Sequence, residues 1–303
     1  MQRRDIVSEP GTHAFDDRMS ATAATTRRPI DRRTPWYPHD AAGLRAMIER
    51  FATAPDRVAG YGLIVPHAGF AYSGECANIA WSSVELPSRV LIIALDHRGG
   101  ARLDLWPGGP WETPVGVVAG ATDLIDALAQ VPGVTLAAGH HPQEHSGDNQ
   151  MPLLAWHRAA AGRDVRVAVL NVGVSARRPG AVDFMDDTAA AIAAMLARDF
   201  GNERVLIAAS SDMSHEQGHG NLQRVQRQDA AVRDALERYD LPALHAAIEA
   251  GATMCGSVPV GLMMRIARQL GATRCEVLDQ RTSADATGVV GDYLVGYLSA
   301  RVV

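Results

Sequence analysis

The sequence has few cysteines, no long apolar run and no excess of positive charge, and each of these absences excludes a class of protein. Its three cysteines, Cys76, Cys255 and Cys275, are too few and odd in number for a disulfide framework. No run reaches the roughly 20 apolar residues that a transmembrane helix needs. With 29 basic and 34 acidic residues the net charge is −5, which argues against a general nucleic-acid-binding protein. We therefore expect a cytoplasmic protein that binds neither nucleic acid nor a membrane.

The chain also lacks an internal repeat, and it has no linker after its first 33 residues. Those residues show little apolar periodicity, and their arginine pair is not followed by the apolar segment of a signal peptide. We predict a flexible N-terminal tail over residues 1–33. Residues 34–303 suffice for one large domain with a sizeable core, because 47% of the chain is apolar and 21% is charged.

Short apolar runs alternate with helical stretches from residue 34 onwards, a pattern that is typical of an α/β protein. Buried strands are predicted at residues 63–65, 89–95, 165–172, 204–210 and 289–298. Helices are predicted at residues 41–51, 74–83, 148–160, 183–200, 221–238, 240–249 and 258–269. Helices between parallel strands cover both faces of the sheet, so we predict a single three-layer α/β/α domain with a mostly parallel central sheet.

Histidines recur just beyond the carboxyl ends of three predicted strands. They are His67, His97 and His215, and the carboxylates Asp96 and Asp212 accompany the second and the third. The carboxyl ends of parallel strands share one edge of a sheet, so these side chains can converge. Two imidazoles and one anionic group on one side of a metal leave open positions for substrate and oxygen, as in non-haem iron sites. The pattern therefore indicates a shared metal site.

The third ligand of this site has three candidates. Cys255 precedes Gly256 at a predicted helix start, where the helix dipole favours the thiolate that binds metals. Asp212 and Glu144 are the carboxylate alternatives. We interpret the other two cysteines as structural, because free cysteines are usually small buried residues.

Short motifs occur from residue 34 to the end of the chain. They are Trp-Tyr-Pro at 36–38, Pro-His-Ala-Gly-Phe-Ala-Tyr-Ser-Gly at 66–74, Trp-Glu-Thr-Pro-Val-Gly at 111–116, Glu-His-Ser at 144–146, Gln-Met-Pro-Leu at 150–153, Ser-Asp-Met-Ser-His at 211–215, Cys-Gly at 255–256, Val-Val at 289–290 and Val-Gly-Tyr at 295–297. In this order they resemble the motifs of the Memo family, whose bacterial members are often called AmmeMemoRadiSam system protein B. The family is related in fold to the class III extradiol dioxygenases, which are non-haem iron enzymes.

The resemblance implies one transition metal per chain, held by His67, His97 and Cys255. Iron(II) is favoured, and copper or zinc is possible, because a thiolate suits all three metals. In the dioxygenase relatives the third ligand is a glutamate, so the cysteine is a real difference. Asp212 and His215 are expected to line the same pocket as catalytic residues, with His215 moving protons and Asp212 fixing its tautomer or a water.

The resemblance implies a metal-dependent oxidoreductase, a dioxygenase-like enzyme that acts with dioxygen on a small molecule such as a catechol. We expect Glu144, His145 and Tyr72 to line the substrate pocket. The alternative is a Memo-like metal-binding redox or interaction protein without turnover of a small substrate. An acid–base histidine beside a metal favours the enzyme, because a scaffold has little use for one.

Three positions depart from the family's pattern. Asp96 replaces a more usual small residue before the second histidine, Gly147-Asp148 stands where Leu-Glu is common, and Gln280 stands where a tyrosine is expected. The candidate metal ligands are retained. The wall that faces the substrate differs, so the family's substrates do not carry over to this chain.

Overall fold

The computed structural model describes residues 35–100, 102–136 and 144–303. Residues 1–33, for which a tail is predicted, lie outside this description. The helices are α1 (Ala41–Ile48), α2 (Phe70–Ser82), α3 (Thr122–Leu128), α4 (Met151–Ala161), α5 (Ala181–Phe200), α6 (Asn221–Glu237), α7 (Leu241–Glu249), α8 (Ser257–Gln269) and α9 (Ser283–Thr287). The strands are β1 (Gly62–Val65), β2 (Arg89–Leu95), β3 (Leu103–Leu105), β4 (Trp111–Thr113), β5 (Gly116–Gly120), β6 (Val134–Leu136), β7 (Arg166–Val172), β8 (Val205–Ser210), β9 (His215–Gln217), β10 (Cys275–Thr282) and β11 (Tyr293–Val302).

A mixed sheet organises these elements, with the strand order β10-β11-β1-β8-β2-β7-β3-β6. The four central strands β1, β8, β2 and β7 are parallel to one another. Strand β11 is antiparallel to both β1 and β10, and β3 is antiparallel to β7. The predicted, mostly parallel central sheet is confirmed, and antiparallel strands flank it on both sides.

Both faces of the sheet are buried, which confirms the three-layer α/β/α architecture. In β1, Leu63 and Val65 pack in the core that also contains side chains of α1, α2 and α4. Ile64 lies between them in sequence and packs in the opposite core, with side chains of α5 and α8. Burial on both faces explains why these strands are continuous apolar runs rather than alternating ones. Within the described ranges, we find no helix that is long and apolar enough to span a membrane.

The helix after the first strand begins earlier than predicted. The sequence predicts residues 74–83 with Ser73 as the capping residue, but α2 already starts at Phe70. The hydroxyl of Ser73 donates a hydrogen bond to the carbonyl of Ala68 at 3.0 Å and therefore lies inside the first turn of the helix. The chain passes from β1 to α2 within four residues, and His67 lies in this tight turn.

The C-terminal strands also differ from the prediction. The sequence predicts a strand at residues 289–298, whereas β11 runs over residues 293–302, and the segment before it exposes Val289 and Val290. Strand β10 was not predicted, because its Cys-Glu-Val-Leu-Asp-Gln-Arg-Thr sequence lacks an apolar run. It lies at the end of the sheet, where half-buried polar side chains are tolerated.

Candidate metal centre

The loops after β1, β2 and β8 meet at the carboxyl edge of the parallel strands, and the start of α8 joins them there. The side-chain donor atoms of His67, His97 and Cys255 all lie within 4.8 Å of one another. The sulfur of Cys255 lies 3.5 Å from Nε2 of His67. The edge of the sheet therefore brings together the three residues that were predicted as ligands.

This donor set fits a transition metal. Zinc binds imidazole nitrogen at about 2.0–2.1 Å and thiolate sulfur at about 2.3 Å, so tetrahedral ligands lie roughly 3.6 Å apart. The 3.5 Å between Cys255 and His67 matches that spacing. Two imidazoles and one thiolate are ligands for iron, copper or zinc rather than for magnesium or calcium. Three protein ligands leave at least one coordination position open.

The ring orientation of His67 is fixed by hydrogen bonds that leave its Nε2 available. Nδ1 of His67 lies 2.9 Å from the hydroxyl oxygen of Ser210. That hydroxyl donates its own proton to the carbonyl of Ser146 at 2.7 Å, so its oxygen must accept the proton of His67 Nδ1. Nε2 is then the unprotonated nitrogen, 3.5 Å from the sulfur of Cys255, and its lone pair is available to a metal.

The ring of His97 is held by a buried carboxylate. Glu144 accepts a hydrogen bond from His97 Nδ1 at 2.9 Å, and further bonds from the backbone amides of His97, His145 and Ser146. Burial raises the pKa of Glu144, but the hydrogen bonds and the charge of His97 outweigh this effect and lower it to about 2. Carboxylate–histidine pairs of this kind orient metal ligands. With its oxygens bonded to N–H groups, Glu144 fits the role of an orienting residue for His97 better than that of the third ligand.

Asp212 ties together the turn that carries His67. Its Oδ1 atom accepts hydrogen bonds from the backbone amides of His67 at 2.7 Å and Ala68 at 3.2 Å. Burial raises the pKa of Asp212, and the positive charge of His215 and these amides oppose the rise. The pKa of His67 is lowered to about 3, first by burial and then by the charge of His97, so its ring is neutral at pH 7. Asp212 therefore stabilises the backbone turn that carries His67.

Cys255 lies just before α8, but its thiol is not activated by the helix dipole as the sequence predicts. Burial raises the pKa of the Cys255 thiol to about 12, and the negative charge of Asp212 adds to this effect. The thiol donates to the carbonyl of Asp212 at 3.6 Å. Desolvation outweighs the dipole here, so the thiolate forms only when a cation replaces its proton.

His215 begins the short strand β9 and is half-buried. Its Nδ1 is 3.0 Å from the carbonyl of Met213, which can only accept, so Nδ1 carries the proton. Its backbone amide donates to the hydroxyl of Thr253 at 2.7 Å. The sequence suggests Asp212 as the group that fixes the His215 tautomer, whereas Met213 is the partner that the structure shows. Nε2 of His215 has no hydrogen-bond partner in the part of the chain that the structure describes.

Trp36, His145 and His97 form a stack of three rings. The ring centroids of Trp36 and His145 are 4.1 Å apart at 8°, and those of His145 and His97 are 4.4 Å apart at 16°. The pKa of His145 is lowered to about 3, mainly by burial and then by the charges of His67 and His97. Tyr72 is 46% exposed. The predicted roles of His145, Tyr72 and Glu144 in the substrate pocket stay predictions.

The sequence reasoning missed the amide side chains that support the His67 turn. Asn149 donates to the carbonyl of His67 at 2.7 Å, and Gln150 donates to the carbonyl of Pro66 at 3.0 Å. Gln150 also donates to the hydroxyl of Ser210 at 3.1 Å. Two features of the sequence could have pointed to these contacts: the polar residue Ser210 at the end of the apolar strand β8, and the Gln-Met-Pro-Leu motif that begins with Gln150. Neither signal shows which residue, 60 or more positions away in the sequence, the amide side chain contacts.

A cavity of about 310 Å³ opens beside the candidate ligands His97 and Cys255. Its walls come from the loops after β2 and β7 and from the segment between α7 and α8. A larger cavity of about 610 Å³, next to Tyr61 and Phe200, lies at the opposite, amino edge of the central strands. The smaller cavity is the one that can place a substrate at the metal donors.

Known proteins have sequences that are similar to most of this chain. The family profile described as "Memo-like protein" matches residues 29–301. A "MEMO1 family protein" from Aquifex aeolicus is 30% identical over 277 residues, which cover 87% of this chain and 94% of the relative. Its counterpart from Saccharolobus solfataricus is 29% identical, with 78% and 81% covered. A solved structure of an uncharacterized Escherichia coli K12 protein covers 80% of this chain and 99% of its own, with 13% identity and a TM-score of 0.47.

Proposed function

Because the chain belongs to the Memo family, we propose that it is a metal-dependent oxidoreductase whose single transition metal is held by His67, His97 and Cys255. The observation that carries this proposal is the convergence of the three donor atoms within 4.8 Å. Each imidazole has a hydrogen-bond partner for Nδ1, which leaves Nε2 for the metal. Such outer hydrogen bonds raise ligand basicity and hold the rings in place.

Iron(II) is the metal that fits the proposed reaction best, with copper and zinc as the other candidates. When bound, iron supplies the Lewis-acid and one-electron chemistry that allows dioxygen to react with a small chelating molecule, such as a catechol. Two nitrogen donors and one sulfur donor suit all three metals. Only iron and copper among them support oxidation, because zinc has no redox chemistry.

The chain's own groups provide binding, orientation and proton transfer. Ser210 and Glu144 hold the two ligand rings in one orientation each. His215 carries its proton on Nδ1 and keeps Nε2 available to accept a proton from a substrate hydroxyl. Asp212 lies close enough to interact electrostatically with His215.

A metal-binding protein without turnover is the second candidate. Its supporting observation is the exposure of aromatic rings at the same face: Tyr293, whose ring lies 6.1 Å from that of His215, is 52% exposed. Exposed tyrosines are typical of surfaces that contact another protein. The two candidates share the metal site and differ in whether His215 moves a proton.

Oxygen uptake by the reconstituted protein tests the proposal. The full chain is loaded anaerobically with iron(II), and its metal content and its oxygen consumption with catechols and thiols are measured. We expect one iron per chain and oxygen consumption that the zinc-loaded protein does not show. Stoichiometric iron without oxygen consumption for any of these compounds would favour the second candidate. The variant His67→Ala is the control, since it should lose both iron and uptake.

A further inference from the structure

The cavity beside the metal donors has an arginine in its wall that the site described so far does not use. Arg177 lines the same 310 Å³ space as His97 and Cys255. We propose that Arg177 binds an oxyanion, a carboxylate or a phosphate group, of a small acidic substrate whose other end reaches the metal. This inference rests on the proposed function, because it names the substrate class of that same site.

The guanidinium of Arg177 is held in place by backbone carbonyls. Nε and Nη2 both donate to the carbonyl of Ile248, at 3.2 and 3.1 Å, and Nη2 also donates to the carbonyl of Ala252 at 3.1 Å. These acceptors are neutral and lie at the end of α7 and just beyond it. The side chain is thus positioned before any ligand arrives, which reduces the entropy that binding costs.

The positive charge of Arg177 is not neutralised by a neighbour. Among the residues in the three described ranges, no carboxylate oxygen lies within 4.0 Å of its guanidinium, and Nη1 makes no hydrogen bond there. Arginine stays protonated in proteins, so the cavity wall carries a full positive charge with two free N–H donors. An arginine of this kind binds oxyanions through charge-assisted hydrogen bonds.

The rest of the cavity wall is compatible with an anion. Ser257 begins α8, whose N-terminus has no side-chain cap and adds partial positive charge. The one carboxylate in the wall belongs to Asp96, and its Oδ1 already accepts the backbone amide of Arg98 at 2.9 Å. The balance of charge therefore favours a negative group near Arg177.

The size of the cavity sets the size of the substrate. A volume of about 310 Å³ is at the lower end of the roughly 300–1,000 Å³ of small-molecule sites. A single aromatic ring with an acidic substituent fits such a space, whereas a folded partner does not enter it. The substrate class is thus a small acid with a chelating group at the opposite end.

Two probes that differ only in a carboxylate test the role of Arg177. The full chain is loaded with zinc, which prevents turnover, and titrated with 3,4-dihydroxybenzoate and with catechol by calorimetry. We expect the acid to bind about 10–100-fold more tightly than catechol, the usual size of a charge-assisted hydrogen bond. In Arg177→Gln this preference should disappear, while metal content and catechol affinity stay close to those of the wild type.

A matched control and a conservative variant separate charge from structure. Arg178→Gln removes an adjacent exposed arginine outside the cavity wall and should keep the full preference. Arg177→Lys should keep part of the preference for the acid, because the positive charge remains but the bidentate geometry of the guanidinium is lost. An unchanged preference for the acid in Arg177→Gln, or an equal loss in Arg178→Gln, would overturn the proposal.

Anions without a chelating group separate this proposal from the proposed function. If neither 3,4-dihydroxybenzoate nor catechol binds the zinc-loaded protein, the proposal of a catechol-like substrate is wrong. The oxyanion site is then tested separately with benzoate and inorganic phosphate. NMR titration measures the binding of each anion, which should be weaker in Arg177→Gln than in the wild type and unchanged in Arg178→Gln. The anion that binds distinguishes a carboxylate from a phosphate site. No Arg177-dependent binding of either one contradicts the oxyanion site.

Discussion

At His67 and His97, the partner of one ring nitrogen decides what the other nitrogen can do. Ser210 accepts the Nδ1 proton of His67, and Glu144 accepts that of His97. The two supports are built differently, since one is a neutral hydroxyl and the other a buried carboxylate. Both leave Nε2 available as a ligand atom, so the proposed metal site depends on residues that would not contact the metal.

The carboxylate support can be tested by a change that keeps its shape. Glu144→Gln should lower metal affinity about 10–100-fold, the usual effect of losing an outer hydrogen-bond partner of a ligand histidine. Competition with a chelator of known affinity measures the change. Glu49→Gln, at an exposed position at the end of α1, should bind metal as the wild type does. Unchanged affinity in Glu144→Gln would show that His97 needs no orienting carboxylate.

Proton transfer by His215 is the second feature at the residue scale. The variant His215→Ala should keep the metal and lose about 10²–10⁴ in turnover, the usual contribution of a general acid–base residue. His215→Gln should behave in the same way, because an amide carries no proton at neutral pH. Oxygen uptake per bound iron is the measurement, and His219→Ala, at an exposed position four residues later, is the control. Full turnover in a folded His215→Ala protein would exclude the acid–base role.

At the scale of elements, Asp229 of α6 joins the segment before β9 to the strand β11. Its Oδ1 accepts the backbone amide of Ser214 at 3.0 Å. Its Oδ2 lies 1.8 Å from the position that a Cβ atom on Gly296 would occupy, so only glycine fits at that point of β11. A buried carboxylate thus holds in place the strand that begins with His215.

The protonation of Asp229 predicts how stability depends on pH. Burial raises its pKa from 3.8 to about 6, although the hydrogen bonds from Ser214 oppose the rise. The pKa of Asp229 is higher in the folded state than in the unfolded state, so the folded state favours the protonated carboxyl. The stability that this protonated carboxyl contributes is complete below pH 3.8 and is lost as the pH rises through about 6. Asp229→Asn should therefore gain stability relative to the wild type between pH 4 and 6, by up to about 3 kcal/mol.

Thermal unfolding across pH 4–8 measures this difference. The gap between the variant and the wild type should widen up to about pH 6 and then stay constant. Asp234→Asn, at a half-exposed position of the same helix, is the matched control for the substitution itself. A constant gap at every pH for Asp229→Asn would contradict the raised pKa.

The sequence predicts the elements that have strong patterns. The apolar runs of β1, β2, β7 and β8 are confirmed as strands, and His67 and His97 lie just beyond the carboxyl ends of β1 and β2. The early start of α2 was not predictable from Ser73, because that hydroxyl bonds to Ala68 inside the turn. The neutral thiol of Cys255 was not predictable either, since burial depends on packing between distant segments. Local patterns predict elements, whereas hydrogen-bond partners and burial depend on the tertiary fold.

At the scale of the whole molecule, the parallel sheet explains why residues so far apart in sequence act together. His67 and Cys255 are 188 residues apart, yet their donor atoms lie 3.5 Å from each other. The ends of β1, β2 and β8 supply rigid positions, and the start of α8 closes the site. The antiparallel strands at the sides of the sheet extend the core without adding a ligand.

X-ray absorption spectroscopy of the iron- or copper-loaded protein tests the three-residue metal site most directly. The metal should have nitrogen or oxygen neighbours at about 2.0–2.2 Å and one sulfur neighbour at about 2.3 Å, by analogy with zinc–ligand distances. Cys255→Ser should lose the sulfur signal, whereas Cys76→Ser, which removes a buried cysteine outside the site, should keep it. A spectrum of the wild-type protein without a sulfur neighbour would contradict the ligand set His67, His97 and Cys255.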